Sequence, residues 1–302
     1  MAANETIFVW KNVHFLGKIM LDFEDLSVYR YMSYSRVREM LKDNAITFVS
    51  PALWDDPYEK RYYNVKLNGS DNVFPNIACY CVTSSPSENS AAFWSWSKGS
   101  NEPWLRIEFR LVALLDYLNG LAKRIGARIY VSSMRYDYDE NEIDNIHKKM
   151  NFDGNNLERS YVKLLSIKRK AYRYENELRI SVVWDRNSTK LELAKNVKYE
   201  TDKTLKIYFP KHISRSLIKK ITLDPRQRVL TKENVALDLS LIEYGKVTKY
   251  KNELKSLAEK YKPSIEIQKS QLFLAYRCKN IDYPPIKNHQ INKLGKKTKK
   301  RK

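Results

Sequence analysis

The sequence predicts an α+β fold. Short β-rich runs at uneven spacing are mixed with helical stretches, and no regular strand–helix–strand alternation of a Rossmann sheet runs through them. Of the 302 residues, 43% are hydrophobic, enough to bury a sizeable core. No period of 20–50 residues recurs, which excludes solenoids and propellers.

The elements follow in order. LSVYRYMS (26–33) has strand-like aromatics, and SRVREMLKDN (35–44) reads as a helix opened by a Ser cap. AITFVS (45–50) is a strand that Pro51 ends. PALWDDPYEKR (51–61) is expected as an irregular loop, because Pro51 and Pro57 fix φ and lack a donor. NIACYCVTS (76–84) is apolar and β-rich, and SPSENSAAFWSWSK (85–98) looks like a helix start with Pro86 near its first turn. WLRIEFR (104–110) alternates as a strand, LVALLDYLNGLAKR (111–124) is a helix ending near Gly126, and ARIYVSSMRY (127–136) returns as a strand. Residues 139–165 have a charged, helical pattern. SIKRKAYRYENELRISVVW (166–184) is a basic loop running into a strand. LKIYFP (205–210), KKITL (219–223) and PSIEIQK (263–269) are short strands, and KNELKSLAEKYK (251–262) is an amphipathic helix stopped by Pro263. The folded body extends over 1–278, and 279–302 reads as a flexible basic tail.

Charge narrows the partners. Lys and Arg number 55 against 35 Asp and Glu, an excess of +20. The last ten residues hold seven positives and no negative, so +13 stays on the body. Such a field draws polyanions and favours nucleic acid as partner or substrate. No run approaches the roughly 20 apolar residues of a membrane span, and the N-terminus lacks a signal-peptide pattern, so a cytoplasmic protein is expected with no membrane partner. Three cysteines (Cys79, Cys81 and Cys278) cannot all pair, and Cys79 and Cys81 are expected on opposite strand faces. Four scattered histidines complete a poor ligand inventory, so no metal is expected.

Four constellations could carry chemistry. In YENELR (174–179), alternation is expected to put Glu175, Glu177 and Arg179 on one strand face, the two carboxylates about 7 Å apart along the backbone. One acid can hold a substrate hydroxyl while the other takes a proton, and each raises the cost of ionising the other. A solvent-facing strand paired with Lys168, Arg169, Lys170 and Arg173 is the plainer reading of an isolated E-x-E. VYRYMS (28–33) offers Arg30 to a pyrophosphate or carboxylate, flanked by tyrosines that can stack a ring; a structural ion pair is equally compatible. The loop at 46–59 joins Trp54 and Tyr58 to Asp55, Asp56 and Glu59, acids that a metal-dependent nuclease could use. In 84–99, Ser90, Phe93, Trp94 and Ser97 share a helical face, a pattern more usual in cores. P-loop, Rossmann and serine-elbow motifs are absent.

The order of these motifs resembles one bacterial family. A Tyr-Arg-Tyr strand, a helix, F-x-S-P-x-x-W-x-D-P-Y-E, a Trp helix and K-x-x-x-Y-x-Y-E-x-E-x-R follow one another from Ser27 to Cys278. The family was catalogued as a domain of unknown function and is similar in fold to ADP-ribosyltransferases. Here Asp55 stands where Asn is usual, Phe93-Trp94 replaces Met-Trp, and Tyr172 or Tyr174 replaces a Trp before the acids.

The resemblance implies an ADP-ribosyltransferase-like split β-sheet core flanked by helices, and NAD as substrate. It gives Arg30 to the NAD pyrophosphate or adenosine ribose. Tyr31, Ser84 or Trp94 would shape the nicotinamide pocket, with Ser85 and Ser90 also competing for the middle position. Glu177 would bind the nicotinamide-ribose 2′-hydroxyl and stabilise the oxocarbenium-like transition state, and Glu175 would orient or deprotonate the acceptor. Some relatives resemble RNA-modifying toxins of phage-defence systems, which implies a neutralising antitoxin as partner. Together with the basic charge, this favours a nucleic-acid acceptor, RNA before DNA, gripped by Lys168, Arg169, Lys170 and Arg173. The alternatives are a protein acceptor, a non-catalytic RNA-binding protein, and a nuclease built on Asp55, Asp56 and Glu59.

Overall fold

Among the described residues, eleven strands form one mostly antiparallel sheet in the computed structural model of the chain. The residues described are 10–17, 26–63, 76–86, 94, 102, 104–139, 141–142, 145, 157–185, 190, 194–200, 203–210, 216–223, 252–256, 259 and 265–269. All fall within one compact unit, Met1–Ser270. The predicted tail, 279–302, lies outside the described residues, as does most of the predicted helix at 85–98.

The elements are β1 (Val13–Leu16), β2 (Ser27–Ser33), α1 (Tyr34–Asp43), β3 (Ala45–Val49), α2 (Pro57–Tyr63), β4 (Asn76–Thr83), β5 (Trp104–Arg110), α3 (Leu111–Ile125), β6 (Arg128–Ser133), α4 (Leu157–Leu164), β7 (Glu177–Trp184), β8 (Val197–Tyr199), β9 (Thr204–Tyr208), β10 (Ile218–Leu223) and β11 (Glu266–Lys269). Among the described residues, two 3-10 segments, Pro51–Leu53 and Lys170–Glu175, fall between them. This is the expected α+β mixture. The parallel pairs, β1 with β6 and β10 with β11, lie at the two ends of the strand order.

The sheet forks at β4. One edge of β4 pairs with β7 along its whole length, from Asn76 to Thr83. On the other edge β2 meets it only at Thr83, and β3 only at Cys79.

The two faces are sorted by alternation. One carries Val28, Phe48, Tyr80, Val82, Ile107, Ile180 and Val182, covered by α1 and α3 in the main core. Helix α3 buries Leu111, Leu114, Leu115, Leu118, Leu121 and Ile125, an apolar stripe at three- and four-residue spacing. Each such leucine contributes about 1.5–3 kcal/mol. Gly126 closes α3 at φ +68°, and Asn44 closes α1 at φ 53°.

The opposite face is apolar only in part. Ile77, Cys79, Tyr130 and Val183 pack under Tyr161, Val162 and Leu164 of α4 in a second, smaller core. Beyond it the same face carries Glu177, Arg179, Cys81, Thr83, Tyr29 and Tyr31. Cys79 and Cys81, expected on opposite faces, therefore share one, as residues two apart on a strand must; both are free thiols.

The segment expected as an irregular loop, 51–61, is more regular. Ser50 Oγ accepts from the Ala52 N–H to open the first 3-10 segment. The Tyr58 N–H donates to Asp56 Oδ1 at 2.9 Å, so Asp56 caps α2 with Pro57 in its first turn.

Candidate active site: a buried carboxylate–lysine–arginine cluster

Glu177 and Arg179 enter β7 on the polar face, although every residue of that strand is buried. Charges in such a place need partners. Arg179, 1% exposed, donates from Nε to Glu177 Oε1 at 2.9 Å and from Nη1 to the Leu165 carbonyl. Its Nη2 also meets Glu59 Oε1 at 3.4 Å, and its guanidinium lies 4.1 Å from the centre of the Trp54 ring.

Glu175 reaches the cluster by a different route from the one predicted. It does not lie on the strand with Glu177 and Arg179. It ends the 3-10 segment, and Asn176 at φ 40° turns the chain before β7 begins. Lys168 joins the two acids, its Nζ lying 2.5 Å from Glu175 Oε2, 2.9 Å from Glu177 Oε2 and 3.7 Å from Glu59 Oε1. The backbone of Lys168 is fixed by its N–H donating to the Arg135 carbonyl at 3.0 Å. The Tyr136 hydroxyl accepts from the Glu177 N–H at 2.9 Å.

Three carboxylates thus surround two cations, and their surroundings drive the acids apart. Burial raises Glu175 to about 7; Lys168 pulls it down, while Glu177 and Glu59 push it up. Burial works the same way on Glu177, but Arg179 and Lys168 outweigh it and hold the group down at about 2. Burial acts to lower Lys168 and Arg179, and the carboxylates, Glu177 foremost, raise both. The Cys81 thiol beside Glu177 is raised, first by burial and then by that carboxylate. One acid is held ionised and its neighbour titrates near neutrality, the division of labour that acid–base chemistry uses.

Arg30 does not join the acids. Tyr29 pairs with Thr83, and Thr83 with Glu177, so alternation turns Arg30 to the other face. There it sits in the fork, 4.1 Å from the Tyr80 ring centre, and donates to the Cys81 carbonyl at 2.9 Å. With Met32, Arg36, Thr47 and Lys206 it lines a cleft of about 40 Å³.

Tyr31 does lie on the face of the acids, packed edge-on against Trp94 at 4.8 Å, with Trp94 fully buried. Ser84 adjoins the site through Asn176, whose Nδ2 donates to Ser84 Oγ at 2.8 Å. Ser85 follows it, its N–H donating to Thr83 Oγ1 at 3.1 Å. Ser90 lies outside the described residues.

The predicted phosphate grip divides. Lys168 is engaged by the acids, and Arg169 donates to Asp56 Oδ2 at 2.9 Å and to the Tyr172 hydroxyl at 2.9 Å. Lys170 and Arg173 are exposed.

The acids of the 46–59 loop diverge as well: Asp55 is exposed, Asp56 caps α2 and Glu59 enters the cluster. No group of His, Cys, Asp or Glu able to hold a metal occurs among the described residues. The sequence names Glu59 only among the loop acids and does not place it with Glu175 and Glu177, whereas here it meets Lys168 and Arg179. Its signal was the Asp-Pro helix opening, which places Glu59 in the first turn of α2 rather than in a loop.

No protein-family model, curated protein or solved structure significantly matches the chain. Among the described residues no helix is long and apolar enough to cross a membrane.

Proposed function

We propose that the chain is an NAD-dependent ADP-ribosyltransferase acting on nucleic acid, RNA before DNA, with Glu177 and Glu175 as its catalytic residues. The observation that carries this reading is the shared ammonium: two buried acids meet one Lys168 Nζ, Glu175 at 2.5 Å and Glu177 at 2.9 Å.

As the C1′–nitrogen bond to nicotinamide breaks, its electron pair leaves with nicotinamide and positive charge develops on the ribose. A fixed, buried carboxylate stabilises that charge without reorganising. Glu177 plays this part and binds the ribose 2′-hydroxyl. The acceptor's lone pair forms the new bond to C1′, and its proton passes to Glu175.

The fork of the sheet at β4 and the meeting of Glu59, Glu175 and Glu177 on Lys168 support the resemblance read in the sequence. The excess of +20 supports a polyanionic acceptor. A toxin of phage defence restrained by an antitoxin is the biological setting that this resemblance carries with it, and the cytoplasm its compartment.

The test supplies labelled NAD with RNA, single-stranded DNA and cell protein in separate reactions, with and without EDTA. Label on RNA that survives EDTA supports the reading. Label on protein alone replaces the acceptor, and EDTA-sensitive strand cleavage without label points to a nuclease. RNA binding with neither label nor cleavage points to a non-catalytic RNA-binding protein.

A further inference from the structure

Helix α3 has Lys123 and Arg124 in its last turn, and the chain comes back to that end at Lys190 and again at Lys195. Leu121 and Arg124 on the helix, with Lys190, Ala194, Lys195 and Asn196, line an open groove of about 510 Å³. Among the described residues no acid lines it, and none of its three cations has an ion pair. Exposed cations elsewhere do pair: Arg38 meets Glu253, Arg128 meets Glu158, and Lys198 meets Glu200.

The walls are held by backbone. A Cβ at Gly126, which closes α3, would lie 3.6 Å from Lys190 Cδ, so the lysine stem rests over the end of the helix. The Val197 N–H donates to the Ala194 carbonyl at 3.1 Å, which puts Lys195 at the bend of a short turn. The Tyr208 N–H donates to the Asn196 carbonyl at 2.9 Å, and Asn196 Nδ2 reaches the Tyr117 hydroxyl of α3 at 3.4 Å. Three segments far apart in the chain thus bring one positive charge each to the same hollow.

The groove is remote from the acids. Arg128, two residues past Gly126, pairs with Val183, six positions along β7 from Glu177, or about 20 Å. Helix α3 also covers the sheet face opposite to the one that carries Glu177. A group bound here adds affinity and does not touch the reacting atoms.

We propose that this groove is a second RNA contact, taking phosphates of the strand at a distance from the nucleotide that is modified. Its cations are donors for phosphate oxygens, and such contacts position a strand without reading its sequence. Lys123 and Arg124 also complement the dipole at the end of α3, but Lys190 and Lys195 stand in turns outside the helix, and that role does not call for them. The proposal rests on the nucleic-acid acceptor proposed above and adds where the rest of the strand is held.

Fluorescence anisotropy measures binding of a labelled single-stranded RNA to the full chain, without NAD, across a range of salt. The variant Arg124→Gln/Lys190→Gln/Lys195→Gln empties the groove of charge. Each phosphate contact with a single strand gives about 0.7 in the slope of log affinity against log salt, so this variant should flatten the slope by about 2 and weaken binding about 10–100-fold at about 0.1 M salt. Lys42→Gln/Lys163→Gln/Lys255→Gln removes the same charge from exposed positions outside the groove and should flatten the slope by less than about 1. Equal effects of the two variants would assign binding to net charge and overturn the groove. So would an unchanged slope with a lower urea midpoint, which would make the cations helix caps. Groove-dependent binding to phosphatidylserine vesicles with RNA binding unchanged would also overturn it. Groove-dependent RNA binding without any transfer from NAD would leave the groove standing and remove the enzyme reading; transfer to RNA with an unchanged slope in the groove variant would do the reverse.

Discussion

Glu59 on α2 and Arg179 on β7 meet at 3.4 Å although 120 positions separate them in the chain. The contact ties the first turn of α2 to the central strand, with Trp54 stacked on the same guanidinium. Removing one partner of a buried ion pair costs far more than the pair's net contribution, because a charge is left behind.

Arg179→Met is therefore expected to lower stability by about 3–5 kcal/mol, since Glu177 and Glu59 would keep only Lys168 as a cation. Urea denaturation measures this. A loss below about 1 kcal/mol would mean the acids are solvated and the cluster is not closed.

The same cluster predicts how stability depends on pH. Glu177 is lowered from the ordinary 4.5 to about 2, so its contribution is present above 4.5 and is lost as pH falls toward 2. Glu175 is raised from 4.5 to about 7, so its contribution is present below 4.5 and is lost as pH rises to about 7. The two together peak near pH 4.5. Denaturation midpoints across pH should show the fall from 4.5 to 7 in the wild type and not in Glu175→Gln.

The rate of transfer has its own pH limb. If ionised Glu175 takes the acceptor's proton, the rate rises through about pH 7 and levels off above it. Lys168 pulls Glu175 down, so Lys168→Met should move the limb to higher pH as well as slow the reaction. A limb that stays in place in this variant would separate Glu175 from the proton transfer.

Asn176 at φ 40° sets the turn between the acids. Left-handed backbone costs a residue with a Cβ about 1–2 kcal/mol, and Asn bears it better than most. Asn176→Ala should be less stable than Asn176→Gly by about 1 kcal/mol, since both lose the bond to Ser84 and only alanine retains the strain. Equal stability of the two variants would show that the turn relaxes.

Much of this was legible in the chain. The stripe of leucines in α3 and the alternation in WLRIEFR and ELRISVVW mark their elements directly, and a period of two puts Glu177 and Arg179 on one face. Glu175 was misplaced because one left-handed residue, Asn176, breaks that period. The place of Glu59 beside Arg179 is not legible, because nothing local joins residue 59 to residue 179 and two prolines suggest a loop where Asp56-Pro57 opens a helix. Which face Arg30 takes relative to the acids is not legible, because it depends on the register of β2 on β4 and of β4 on β7. That register is fixed by long-range pairing and not by any one segment.

The most direct test of the account compares wild type and Glu177→Gln for transfer of label from NAD to RNA, with circular dichroism to verify the fold. Label on RNA is expected from the wild type, with a rate lower by a factor of about 10²–10³ in the folded variant. Equal labelling by both proteins, or none from the folded wild type on any nucleic acid or protein, would contradict it.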